Sequence, residues 1–120
     1  MIIYLYSRCS TCQKAVRFLK ERNISFEQKE IVQEPPSKKE LLQMLSYKKG
    51  EVKKLFNTSG LLYRELQLSE KLQTMDEEQA LALLGKNGML VKRPFLLGKD
   101  FGLTGFNEKE WVQALLKGVP

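Results

Sequence analysis

Ile2 to Tyr6 is a short, nearly continuous apolar run of β-forming residues, the pattern of a buried central strand. The period then changes. Cys12, Ala15, Val16 and Leu19 fall at i, i+3, i+4 and i+7, one apolar face of a helix running to about Arg22, with Lys14, Arg17 and Glu21 off that face. Ser10 and Gln13 have capping-box spacing, which predicts a helix start inside the segment Arg8 to Cys12. Asn23 is placed to end the helix, and Ser25 to Val32 reads as a second strand with Phe26 and Ile31 pointing inward. A strand–helix–strand stretch of about thirty residues has the size of a βαβ unit, which predicts parallel strands and a right-handed crossover.

Pro35-Pro36 breaks the chain before an almost wholly helical middle. Ser37 and Glu40 have the capping-box spacing, with Leu41, Leu42 and Leu45 as the apolar face, and Gly50 interrupts this helix. Val52, Leu55 and Phe56 mark a short helix before the polar loop Asn57 to Gly60, and Leu61, Leu62 and Leu66 a further helix or turn. Asp76 and Gln79 open another helix carrying Ala80, Leu81 and Leu84, closed by Gly85 and Gly88. Beyond it, Phe95 to Leu97, a Gly98-Lys99-Asp100 turn and Phe101 to Thr104 form a β-hairpin pattern. Asn107 and Glu110 are spaced to cap a last helix that buries Trp111, Ala114 and Leu115 and ends near Gly118. The order is β-α-β, a block of helices, then β-β-α, with no repeat or linker.

Composition narrows the chemistry. The chain has 120 residues, 42% hydrophobic and 28% charged, the range of one soluble globular domain. It has no histidine, which removes imidazole acid–base catalysis, and only two cysteines, too few for a usual structural zinc site; no metal is expected. The start lacks a basic leader and cleavage site, and no apolar stretch approaches bilayer length, so a cytoplasmic protein without a membrane partner is expected. Net charge is +6, which suits an acidic partner or an anionic substrate. The densest basic run, Lys48, Lys49, Lys53 and Lys54 around Glu51, is accompanied by no nucleic-acid-binding signature, and no direct nucleic-acid contact is expected.

The chemistry that remains lies in Cys9-Ser10-Thr11-Cys12. A Cys-x-x-Cys directly after a strand and opening a helix is the setting in which the motif signals redox work. Unpaired backbone N–H groups and the positive end of the helix dipole stabilise a thiolate at Cys9, and the Arg8 cation adds to this. Cys12 lies on the apolar face, where burial disfavours its thiolate. The asymmetry casts Cys9 as nucleophile and Cys12 as resolving thiol. The alternative is that Cys12 is a small core residue and Cys9 an incidental loop thiol. Arg93-Pro94 is the second constellation: a proline opening a strand reads as an edge device or turn.

Over nearly its full length the chain resembles the arsenate reductase/Spx (ArsC) family of thioredoxin-like proteins. The resemblance rests on the Cys9 to Cys12 opening, Leu55 to Gly60, Gly88 to Pro94 and Gly105 to Glu108. It implies an α/β thioredoxin-like fold: a four-stranded mixed sheet, one domain over 1–120, with a core at about 1–34 and 89–120 and a helical insertion at about 35–88 between the βαβ and ββα halves. In that fold Pro94 is expected to be cis and to face Cys9, with Arg93 aimed at the same spot. Arsenate-reducing members resemble this chain at Cys9 and Arg93, one of three arginines that hold the oxyanion. No arginine stands in Asn57 to Leu61, where Arg64 is the nearest substitute, and Gly105-Phe106 occupies the third position. Those members also usually lack a cysteine where Cys12 stands. The Spx branch resembles it at Cys9, Cys12, Arg93 and Gly105 to Glu108, with Gly50 in the region of an interface glycine.

Two functions follow as expectations. The first is a thiol–disulfide oxidoreductase using Cys9, Cys12 and Arg93, supported by Arg8, Ser10, Thr11, Pro94 and Arg64. It would need no cofactor beyond a thiol reductant such as glutaredoxin, thioredoxin or a low-molecular-weight thiol, and its partners would be protein or small-molecule thiols or an oxyanion. The second is an Spx-like redox-sensing regulator that binds the RNA polymerase α subunit.

Overall fold

A computed structural model describes residues 1–116. β1 (Ile2–Leu5) leads through a tight turn into α1 (Ser10–Glu21), and β2 (Glu27–Glu30) returns parallel to β1, with Ile2 opposite Glu27 and Leu5 opposite Glu30. The middle of the chain folds as α2 (Lys38–Tyr47), a 3-10 turn at Val52–Leu55, the short helices α3 (Leu61–Glu65) and α4 (Leu68–Lys71), α5 (Glu77–Lys86) and a second 3-10 turn at Gly88–Leu90. β3 (Phe95–Leu97) then pairs antiparallel with β1, β4 (Gly102–Thr104) antiparallel with β3, and α6 (Glu108–Leu116) follows. The sheet order is β2-β1-β3-β4, the mixed four-stranded α/β arrangement expected from the sequence. No helix among the described residues is long and apolar enough to cross a membrane.

Alternation along the central strands divides the core into two layers. Ile3, Leu5, Leu96 and Leu103 face Cys12, Ala15, Phe18 and Leu19 of α1 and Trp111 of α6. Tyr4, Phe95 and Leu97 face the inserted helices, where Leu41, Met44 and Leu45 of α2 meet Leu81 and Leu84 of α5. Segment 35–88 thus supplies most of the second layer, completed by Ile31, Leu90 and Val91. Its two longer helices start as their sequences dictate: Ser37 with Glu40, and Asp76 with Gln79, each form the reciprocal pair of a capping box. Gly88 is required by a close approach, since a Cβ there would collide with the Ile31 carbonyl.

Several local expectations need correcting or refining. Ser10 and Gln13 do not cap α1: the helix begins one residue earlier than that spacing assumes, Cys9 is its N-cap, and the Gln13 side-chain Nε2 instead donates to the Ser7 carbonyl at 3.3 Å. The second strand covers only Glu27–Glu30, because a polar edge strand needs no apolar pattern of its own. Phe26 and Ile31 do enter the core but, five positions apart, they serve opposite layers. Leu42 is 42% exposed while Met44 is buried, since from Leu41 the inward positions are i+3 and i+4. Gly85 lies inside α5, which is capped at Asn87, and α4 was not anticipated. The expected helix end near Gly118 lies outside the described residues.

Candidate redox site

The site begins where β1 hands the chain to α1. The Cys9 amide donates to the Tyr6 carbonyl at 3.1 Å, closing the turn, and the Cys9 carbonyl accepts the first helical bond from the Gln13 amide at 3.1 Å. Cys9 is therefore the N-cap, and its Sγ accepts the Cys12 amide at 3.2 Å, the position a serine or aspartate oxygen usually fills. Both cysteines are free thiols; Cys9 is half-buried and Cys12 is 1% exposed. Burial, then the hydrogen bond with Cys9 and the Cys9 charge, push the Cys12 thiol up to about 12, against the opposing pull of the Tyr6 backbone and the Arg93 cation.

Cys9 opens onto a cleft of about 490 Å³ whose other walls come from distant parts of the chain. Lys92 and Arg93 line one wall, and the Arg93-Pro94 peptide that follows is cis. The Pro94 carbonyl accepts the Gly105 amide at 2.9 Å, which brings the start of the last loop alongside. Gly105 has φ +73°, and its carbonyl accepts the Trp111 indole N–H at 3.1 Å. Trp111 packs edge-on against Phe18 of α1 (5.9 Å) and Phe106 (5.1 Å), so one aromatic cluster fixes the loop relative to the cysteine helix. The third wall belongs to the insertion. The Asn57 amide donates to the Leu90 carbonyl at 2.7 Å, the Lys92 amide to the Leu55 carbonyl at 2.9 Å, and the Thr104 hydroxyl to the Lys54 carbonyl at 3.3 Å. These bonds carry Asn57 and Ser59 to the rim.

Two cations line the cleft. Arg93 is half-buried: Nη1 donates to the Met89 carbonyl at 3.2 Å, the guanidinium lies 5.2 Å from the Tyr6 ring centre, and Nε is buried without a partner. Lys92 runs over Gly105, where a Cβ would lie 2.9 Å from Lys92 Cε.

This is a thioredoxin-like arrangement with a helical wall, and comparison with known proteins agrees on the fold. Residues 4–114 match the ArsC family. The chain belongs to the ArsC family. The uncharacterized protein YusI of Bacillus subtilis is 40% identical over 113 residues, covering 94% of this chain and 96% of the relative. The global transcriptional regulator Spx of Streptococcus agalactiae serotype V is 29% identical over 114 residues, covering 95% of this chain and 81% of Spx. A crystal structure of an ArsC family related protein from Bacteroides fragilis has a TM-score of 0.86 at 46% identity, covering 93% of this chain and 96% of that one.

Within the ArsC framework the expected residues divide. Cys9, Thr11 and Arg93 share the cleft, the Cys12 amide donates to Cys9 Sγ, and Pro94 is cis as expected but is not among the residues that line the cleft. Ser10 is exposed on the first turn of α1 and does not line the cleft. Arg8 lines a different recess with Met89, Val32 and Glu30, on the far side of the β1–α1 turn. Arg64 is exposed on α3 and is not among the cleft residues; Asn57 and Ser59, N-terminal to α3, fill the rim instead. Lys92, Asn57 and Ser59 were not singled out from sequence. Position 92, next to the Arg93-Pro94 pair, was the one available clue, because a residue flanking a strand entry at a redox centre is within reach of the same cleft.

Proposed function

We propose that this ArsC-family chain is a thiol–disulfide redox protein with Cys9 as nucleophile and Cys12 as resolving thiol. The observation that carries the reading is the pairing of a half-buried N-cap sulfur at the cleft with a buried thiol whose amide it accepts. In the reaction, the Cys9 thiolate attacks one sulfur of a substrate disulfide, the substrate S–S bond breaks, and one thiolate leaves. Capping Cys9 in this way removes the Cys9 hydrogen bond and charge that help push the Cys12 thiol up, while Arg93 and the Tyr6 backbone still favour its thiolate. Cys12 then attacks the Cys9 sulfur, loses its proton to solvent and releases the second thiolate. The substrate gains two electrons, and the protein is left with a Cys9–Cys12 disulfide for an external thiol to reduce. Pre-reduced protein mixed with excess neutral disulfide should release two thiols per chain, Cys12→Ser one, and Cys9→Ser none. One thiol released by Cys9→Ser, through attack by Cys12, would reject the assignment.

The Spx relatives favour a second reading, a redox-sensing regulator that docks on the α subunit of RNA polymerase. Gly50, in the region where the resemblance implies an interface glycine, is exposed in the turn after α2 with open space around it. If the protein captures the C-terminal domain of the polymerase α chain, and Gly50→Arg abolishes that capture, this reading is supported; no capture in either redox state would remove it.

A further inference from the structure

The insertion side of the cleft carries more positive charge than its own acids neutralise. Lys92 lines the rim of the cleft over Gly105, and no ion pair among the described residues holds its ammonium. Lys48 is half-buried nearby; burial lowers its pKa, as do Lys54 and Lys92, while Glu110, the one carboxylate among the described residues that line the cleft, opposes them. Lys54 is held by Glu51 at 2.6 Å. Next in sequence, Arg93 also lines the cleft; its Nη1 donates to the Met89 carbonyl and its Nε is buried without an acceptor. A guanidinium pairs with a carboxylate through two parallel hydrogen bonds, which suits Arg93 where it lines the cleft. A cleft of about 490 Å³ suits a small molecule rather than a protein segment.

We infer that the cleft selects small disulfides bearing a carboxylate, with Lys92 and Arg93 holding the acid group while Cys9 attacks the disulfide sulfur. The inference rests on the thiol–disulfide reading and adds a substrate class to it. Electrons and atoms move as in that reaction: the acidic disulfide is reduced to two thiols, and the reduced protein, the sole electron donor in a single turnover, is oxidised to the Cys9–Cys12 disulfide. Lys92 is the specificity-determining residue, because its ammonium reaches into the cleft only where Gly105 leaves room.

Single-turnover rates of pre-reduced protein should be compared for three disulfides of similar size: dithiodipropionate, bis(2-hydroxyethyl) disulfide and cystamine. At low salt the dianion should react about 10-fold or more faster than the neutral compound, with the dication slowest, and the spread should shrink as salt is added. Lys92→Gln should collapse the anionic-to-neutral ratio toward one, and Lys92→Arg should restore it. Lys71→Gln, which removes the same charge from exposed α4, should keep the wild-type ratio. Equal rates for the three disulfides would overturn the selectivity and leave the exchange reading standing. Equal loss of the ratio in Lys92→Gln and Lys71→Gln would also overturn it, by assigning the preference to net charge. Absence of reaction with all three would overturn the exchange reading and the selectivity together.

Discussion

The two faces of the sheet are covered by different kinds of structure. On one face, α1 and α6 hold the cysteines and an aromatic cluster of Phe18, Phe106 and Trp111, joined by edge-to-face contacts of 5.1 to 5.9 Å. On the other, α2, α5 and a set of short helices pack aliphatic side chains against Tyr4, Phe95 and Leu97. The first face provides the reactive sulfur and the rigid loop beside it. The second touches the site only at its rim, through Asn57 and Ser59 and through the backbone bonds that anchor Lys92. In the proposed function the chemistry belongs to one layer, and what the cleft accepts is decided where the other layer meets it.

The sharpest way to break this division is to ask whether the rim alone restricts the substrate. The resemblance places arginines at two rim positions where this chain has Asn57 to Leu61 and Gly105-Phe106. Loss of one preorganised donor costs about 100- to 1,000-fold in rate, so glutaredoxin-coupled arsenate turnover should lie at least that far below a three-arginine reductase. Turnover comparable to such an enzyme would show that Lys92 serves as an oxyanion ligand.

A second comparison sets packing against chemistry. Trp111→Ala should cost about 3–5 kcal/mol and Leu84→Ala about 2–5 kcal/mol in denaturant unfolding, since both side chains are fully buried. Only Trp111→Ala also frees the Gly105 carbonyl and loosens Phe106, so it should slow disulfide exchange in the molecules that remain folded. Leu84→Ala should leave that rate at the wild-type level. Equal slowing by both would contradict the division of labour between the layers.

How far the sequence foretold this arrangement depended on whether the determinants were local. Capping boxes at Ser37 and Asp76, and the Asn107 side-chain cap that accepts the Glu110 amide at 3.0 Å, need only residues three apart, and each was legible. The Cys9–Cys12 pair was legible for the same reason. Ser10 failed as a cap because the cysteine itself took the position. β2 was overextended because an edge strand of Glu27 to Glu30 carries no apolar signature. The rim residues were illegible: Asn57 and Lys92 meet only because the Leu55–Asn57 stretch is bonded to Leu90–Lys92 across the insertion. Arg8 and Arg64 were near the motifs in sequence, yet the β1–α1 turn and α3 leave them outside the cleft.

The smallest expected effect marks where the two parts of the chain join. The Tyr4 hydroxyl of β1 donates to Glu40 Oε1 of α2 at 2.6 Å. Burial pushes the Glu40 carboxyl up, but the bonds from Tyr4 and from Ser37 outweigh it and hold the group below its ordinary 4.5. A depressed folded-state value means the stabilisation is complete above the ordinary carboxyl range and is lost as pH falls through the lowered one. Unfolding midpoints should therefore fall more steeply with acid in the wild type than in Glu40→Gln. Parallel curves would mean that this bond does not couple the layers.

The central claim, that Cys9 attacks and Cys12 resolves, is tested most directly by the mass of the protein after one equivalent of a small disulfide. The wild type should become a monomer lighter by two hydrogens, with no adduct retained and a Cys9–Cys12 linkage in the digest. Cys12→Ser should instead keep one half of the disulfide bound to Cys9. A stable adduct on the wild type, a dimer joined through Cys9, or an adduct mapped to Cys12 in the Cys9→Ser variant would contradict the account.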